Sequence, residues 1–358
     1  MSGRIFLGVV VFVCEFLVGF AQVERVLPRR GSSSLEGTSF VVGFMANEIL
    51  ELGADPRIQI FISSQYNANV TFRSNLFGSY TVQVAANTVH VESIHPQHVV
   101  NASERAFNRA IFVDSDVPVV VYALNTLAQS TDSYTAIPTK HLGTQYYTVN
   151  RPTDWYRGDN IRPSPLDRIP RVGEFMVIAT ENNTLVDIST TTATKNGIPA
   201  RTPWRVWLNK GDCYLVQAAA TRFGGDDLTG SSVSSNIPVA VLSGHQRSSV
   251  ITDSARSKDH LVEQLPPLDK WGRRYATTPF ALTGAPDVIR IMASTIDQDI
   301  FLTTRSGTRS YRLKNPGEWV DVSLAESAYW DSPDPFFVTQ FMSSYVDARR
   351  PFCDPAMV

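Results

Sequence analysis

His245, Asp259, His260 and Glu263 lie close together in the chain, and their side chains are of the types that hold a metal or pass protons. Their spacing argues against both uses. No HExxH run is present, and no GxSxG sequence supplies a nucleophile. Charged residues in a linker cap turns and bridge neighbouring units more often than they catalyse. The reading is therefore of no catalytic residue and no enzyme. His90, His95 and His98 invite a second metal guess, but they flank a strand end at Ile94-His95-Pro96, where solvent exposure is expected. Gly224-Gly225-Asp226-Asp227 has the oxygen donors that calcium takes. Two adjacent Asp in a Gly loop also make an ordinary turn, and no further Asp completes a calcium-loop spacing. A turn is preferred, with no metal and no cofactor.

Two kinds of short motif remain. Arg157-Gly158-Asp159 follows Trp155-Tyr156 and precedes a Pro-bounded polar loop. Such a loop is expected at the surface, where an integrin could read the arginine against an acidic site and the aspartate against a metal. Three Asn-x-Ser/Thr acceptors for glycosylation begin at Asn69, Asn101 and Asn182. Cys14 falls in the N-terminal apolar run, which leaves Cys213 and Cys353. The two could pair in an oxidising compartment, or either could pair outside the chain.

The elements that must carry these residues are strands. The chain has 358 residues, 43% hydrophobic and 18% charged, with 21 Gly and 21 Pro. That is enough apolar material for a large core, with turn residues that favour strands over helices. The formal net charge of −2 and the lack of a basic stripe give no case for nucleic acid. Arg4 and the apolar run over residues 5–20, ending in Gly19-Phe20-Ala21, read as a signal peptide cleaved after Ala21. No later stretch is long and apolar enough to span a membrane.

One pattern recurs three times. PVVVYALN begins at Pro118, IPVAVLSGHQ at Ile237 and DPFFVTQFMSS at Asp334. Before each come short runs of period two, such as Glu174-FMVIA and Thr184-LVDIS. Consecutive runs read as hairpins of half-buried strands: 174–180 with 184–190, 204–209 with 213–217, and 288–294 with 299–304. The proline is expected at the start of each closing strand, where a missing N–H harms a ladder least. The linkers repeat as well, with Leu261, Leu265 and Trp271 expected to be buried between units. The chain ends at Asp354-Pro-Ala-Met-Val358, which aligns with Asp259–Glu263, so the third linker reads as truncated.

These features predict an all-β fold of tandem antiparallel β-sandwich-like repeats, with a β-propeller-like ring as the alternative. The expected organisation is a signal peptide over 1–21, a linker over 22–38 and a first repeat over 39–150. An inter-repeat loop and second repeat follow over 151–275, then a third repeat over 276–358.

The stretches EFMVIATENNTLVDIS, VWLNKGDCYLVQ, DLTGSSVSSNIPVAVLSGHQ, DHLVEQLPPLDKWGRRY and CDPAMV resemble the N-terminal domain family of the IgGFc-binding proteins. These are large secreted mucus proteins with many animal and bacterial relatives. The resemblance covers most of residues 39–358, and DHLVEQLPP followed by WG is its most specific part. It implies a secreted, extracellular, non-catalytic module of mucus or matrix that binds a protein or glycoprotein, such as IgG Fc or mucin. It transfers no binding residue. A carbohydrate-binding β module is the alternative, which Trp204, Trp207 or Trp319 exposed on one face would support. An extracellular hydrolase is a third reading, and it needs a concave pocket around His245 and His260.

Overall fold

Long strands organise the molecule. Ile111–Leu127, Ser232–Ser248 and Ala328–Phe341 each run through two layers of a sandwich. In the computed structural model, described over residues 35–48, 56–127, 130–155, 169–221, 226–250, 257–280, 285–344 and 354–358, the strands that pair with these long ones are all antiparallel to them. Phe44–Met45 forms a short parallel pair with Val99–Val100. Among the described residues there is no α-helix, only short 3-10 turns such as Thr139–His141 and Leu268–Lys270.

Each repeat places four short strands around its long one in a single order. In the second repeat, Thr184–Ser189 pairs with the first half of Ser232–Ser248, and Gly173–Ala179 with the second half. Trp204–Leu208 then pairs with Thr184–Ser189, and Asp212–Gln217 with Gly173–Ala179. The same order holds in the first and third repeats. Flanking strands complete both layers: Gly143–Tyr147 pairs with the first half of Ser232–Ser248, and Asp259–Gln264 with the second. The all-β sandwich reading holds, and the strand order departs from a propeller blade.

The expected hairpins do not form. Gly173–Ala179 and Thr184–Ser189 lie in opposite layers, as do Asp287–Ala293 and Gln298–Thr304. Their turns cross the sandwich, helped by Asn183 and Asp297 at positive φ. Alternation in sequence marks which face of a strand is buried, not which strand lies beside it.

The closing prolines also sit elsewhere than expected. Pro118, Pro238 and Pro335 lie inside their strands, where the chain leaves one layer and enters the other. A corner lacks a ladder partner, so the absent N–H costs nothing there. A hydroxyl ties each corner: Ser64 Oγ donates to Pro118 O at 2.8 Å, Thr180 Oγ1 to Pro238 O at 2.6 Å, and Ser294 Oγ to Pro335 O. Two tyrosines brace the next residue. Tyr146 Oη donates to Val239 O and Tyr275 Oη to Phe336 O, both at 2.7 Å.

The repeats stack. Gly173–Ala179 and Asp287–Ala293 are buried along their whole length, because each has a repeat on both faces. Phe175 and Val177 enter the second repeat's own core, while Met176 and Ile178 join the core shared with the first. This corrects the half-buried reading of EFMVIA. Leu261, Leu265 and Trp271 are buried as expected. No helix of the described residues is long and apolar enough to cross a membrane.

Candidate functional site

The second and third repeats meet imperfectly and leave a cleft of about 760 Å³. One wall is the end of Thr184–Ser189 with the loop that follows, reaching Arg201. The other is the turn Lys314–Glu318 leading into Trp319. Tyr147 and Gly230 lie at the base.

The junction is built on two glycines at positive φ, Gly230 at 81° and Gly317 at 79°. A Cβ on Gly230 would lie 2.3 Å from the Gly317 carbonyl oxygen, and one on Gly317 would lie 2.9 Å from Tyr147 Cδ1. Only glycine allows both the backbone conformation and the approach. Glu318 shapes the turn by accepting from Lys314 N at 2.9 Å and Asn315 N at 3.0 Å.

Arg290 closes the cleft from behind. Its guanidinium donates to Asp227 Oδ2 at 2.9 Å, to Asp321 at 2.7 and 2.9 Å, and to Asn150 O at 2.7 Å. It also lies 3.6 Å from the ring centroid of Trp319. Burial pushes the Asp227 carboxyl up, but Arg290 and the Thr229 bonds outweigh it and hold it below the usual range. Asp227 is therefore committed as an ion. The cations on the rim are not: the side chains of Arg201 and Lys314 are exposed, with no polar partner among the described residues. Thr190, which is 1% exposed, also lines the cleft, and its Oγ1 lacks a partner.

The residues singled out by sequence are placed differently. His245 and His260 are fully buried, and burial pushes both rings down to about 4, so they stand neutral. His245 Nε2 meets Pro152 O at 3.1 Å, and His260 Nδ1 meets His245 O at 2.9 Å. Asp259 takes Thr131 N and His260 N, and so bridges the first two repeats. None of these groups lines the cleft between the second and third repeats. His95 is exposed and caps a 3-10 turn, but His98 is buried, against expectation, with Nδ1 on Arg109 O at 2.8 Å. Asp226 holds Thr221 N and Thr153 N, while its neighbour Asp227 serves Arg290. Among the described residues no cluster of His, Cys, Asp and Glu could hold a metal.

Arg157, Gly158, Asp159 and Cys353 lie outside the described residues. Cys213 is buried, and burial pushes its thiol up to about 12, far from a reactive thiolate. Asn69, Asn101 and Asn182 are exposed; Asn69 Nδ2 donates to Asp116 Oδ2 at 2.7 Å. The three tryptophans do not share a face. Trp207 is 64% exposed, Trp204 packs against the second core, and Trp319 lies under Arg290. Sequence reasoning missed Tyr147, Thr190, Arg201, Arg290 and Lys314. Thr190 and Arg201 share one loop, the others sit in separate strands or turns, and only the stacking of repeats gathers them.

Fold and cleft together define a stacked β-sandwich scaffold with a recess between its repeats. The chain belongs to the IgGFc-binding protein family: residues 132–358 match the family described as IgGFc binding protein. The human IgGFc-binding protein is 29% identical over 284 residues, covering 75% of this chain and 5% of the relative. The chain thus spans a small part of that relative's length. Two solved structures of bacterial ice-binding adhesins, one from an Antarctic bacterium, were also matched. They are 12% and 13% identical and cover 90% of this chain and 96% and 72% of theirs, with TM-scores of 0.13 and 0.15. Overlap that slight carries no structural argument.

Proposed function

We propose that this chain is a secreted, non-catalytic binding module of mucus or extracellular matrix, and that it takes a protein or glycoprotein ligand. The family match across the second and third repeats carries this reading. The name of the human relative makes IgG Fc the first ligand to test and a mucin the second. The histidines and acids that a hydrolase would need are buried on main-chain partners, which favours a structural role for them. The apolar run at residues 5–20 supports secretion, and the exposed Asn69, Asn101 and Asn182 suit glycans.

The test is a titration of residues 22–358, secreted from cells, against IgG Fc by biolayer interferometry, with a heat-unfolded control. Saturable binding lost on unfolding supports the reading. A folded sample that binds neither Fc nor mucin removes it. Removal of N-glycans in the same preparation should lower the apparent mass; an unchanged mass would count against all three acceptor sites.

A further inference from the structure

We propose that the cleft between the second and third repeats binds acidic sugar units, those carrying a carboxylate or a sulfate. This goes beyond the protein-ligand reading and assigns a second ligand class to a separate place on the molecule.

Charge decides the first half of the assignment. The carboxylates at the cleft are already satisfied: Asp227 by Arg290 and Thr229, and Glu318 by the amides of its own turn. Arg201 and Lys314 remain as uncommitted cations on opposite walls. A cleft with neutralised acids and two free bases favours an anion, and a guanidinium matches the paired oxygens of a carboxylate or sulfate.

The remaining lining decides the second half. Ser189, Thr190 and Ser232 bring hydroxyls, which both donate and accept, as sugar hydroxyls do, while Thr191 Oγ1 is held by Asp227 O and Ser231 Oγ. Thr190 Oγ1 is buried without a partner, a group that costs free energy until a ligand or water meets it. Tyr147 and Trp319 add aromatic surface, and both are half-buried. Arg290 stacked on Trp319 holds that ring in place. Ser232 is already paired on both sides, to Ser189 and to Tyr147, so it offers an extended peptide no ladder to join. The volume lies within the range of small-ligand sites, about 300–1,000 Å³.

The probes are 3′-sialyllactose, 6-sulfated lactose, neutral lactose and hexaglutamate, titrated by calorimetry into residues 22–358. One or both acidic sugars should bind at least about tenfold more tightly than lactose, and more weakly as salt rises. The two acidic arms tell carboxylate from sulfate. The double variant Arg201→Ala/Lys314→Ala changes exposed side chains only, so it should keep the wild-type Tm and lose that preference. Thr190→Val should weaken every sugar that binds. Several outcomes overturn the proposal: no acidic sugar binding at 10 mM probe, equal binding of lactose, equal binding of hexaglutamate, or a double variant that binds as wild type. Fc titration of the wild-type chain alongside separates the two readings. Fc binding with no sugar binding sinks this proposal alone, and acidic-sugar binding with no binding of Fc or of mucin stripped of its acidic sugars sinks the other alone.

Discussion

The two junctions between repeats use the same face of the same strand, and at one matched register they fill it with opposite chemistry. Met176 faces the first repeat from a register four residues past Pro238, opposite Leu242. Arg290 faces the second repeat from the matching register past Pro335, opposite Thr339. In the first repeat the matching place is Phe61, opposite Tyr122, and no preceding repeat among the described residues covers it. At that register the first junction is apolar, and the ion pairs of Glu48 with Arg171 and Arg247 lie elsewhere across it. Met176, Ile178, Leu215, Ala240 and Leu242 merge with the first repeat's core, and a Cβ on Gly43 would touch both Met176 and Ile178. The second is tied by directional bonds from Arg290 to two aspartates and a carbonyl. Apolar contact closes a junction without gaps. Directional bonds fix an orientation and tolerate a recess beside them, and the cleft lies beside the second junction.

The largest expected effect comes from breaking the polar junction. Arg290→Met imitates the apolar one, but it strands the buried Asp227 without its ion-pair partner and leaves Asp321 with Arg151 alone, at 3.3 Å. It should destabilise by about 3–5 kcal/mol in urea unfolding. Restoring neutrality with Asp227→Asn, which leaves Asp321 paired to Arg151, should recover much of that loss. If Arg290→Met alone is neutral, the guanidinium is not holding the junction. Met176→Ala at the apolar junction should cost slightly less, about 2–4 kcal/mol, through lost contact and a cavity. No second substitution should rescue it, because no partner is left charged. That contrast separates the two designs.

A subtler difference concerns protons. Glu174 lies on the first junction's face at the register of Val288 in the second. It is fully buried, and burial pushes its carboxyl up to about 8 despite a 2.7 Å bond from Gln217 Nε2. The folded chain therefore holds a proton that the unfolded chain releases near 4.5. That contribution to stability is full below the unfolded value and is lost as pH rises through about 8. The buried histidines act in the opposite direction, but only between about 4 and 6.5. Between pH 6.5 and 8 the histidines no longer contribute. Burial also pushes up the carboxyls of Asp132, Asp259 and Glu263, so Glu174's own share of the loss there should be about 2 kcal/mol. Glu174→Gln should remove that share and leave a shallower slope from Asp132, Asp259 and Glu263. A variant whose stability falls as steeply as wild type would show that Glu174 is ionised when folded.

How much of this was legible depends on the scale of the signal. Period-two runs located the strands, and the buried Leu261, Leu265 and Trp271 followed from the repeated linkers. Strand partners were not legible. Two runs joined by a short turn look alike whether the turn closes a hairpin or crosses a sandwich, as at Asn183. Arg290 was hidden for a related reason. A lone arginine in VIRIMA reads as the solvent-facing position of a half-buried strand, and only the stacking of repeats turns that face inward. The cleft was least legible, because Arg201 and Lys314 come from separate repeats and share no local pattern. Asp226-Asp227 was read as a turn, yet Asp227 is one end of the ion pair that the cleft needs.

The smallest effect should come from the feature that the repeats share, and it tests whether the junctions are the real difference. Ser64, Thr180 and Ser294 each donate a hydroxyl to the carbonyl of the corner proline. The bond turns a continuous strand from one layer into the next, so it belongs to a repeat and not to a junction. Ser64→Ala, Thr180→Val and Ser294→Ala should each cost about 1 kcal/mol, the net worth of one hydrogen bond. The three costs should agree to within a few tenths of that figure, whichever chemistry the neighbouring junction uses. Each should also add to Met176→Ala or Arg290→Met without coupling, since distant sites with no shared partners combine independently. Additive values would place the corner inside the repeat and leave junction chemistry as the only variable along the stack. A corner variant that costs several kcal/mol in one repeat alone, or that couples to Arg290→Met, would mean that the corners carry load between repeats.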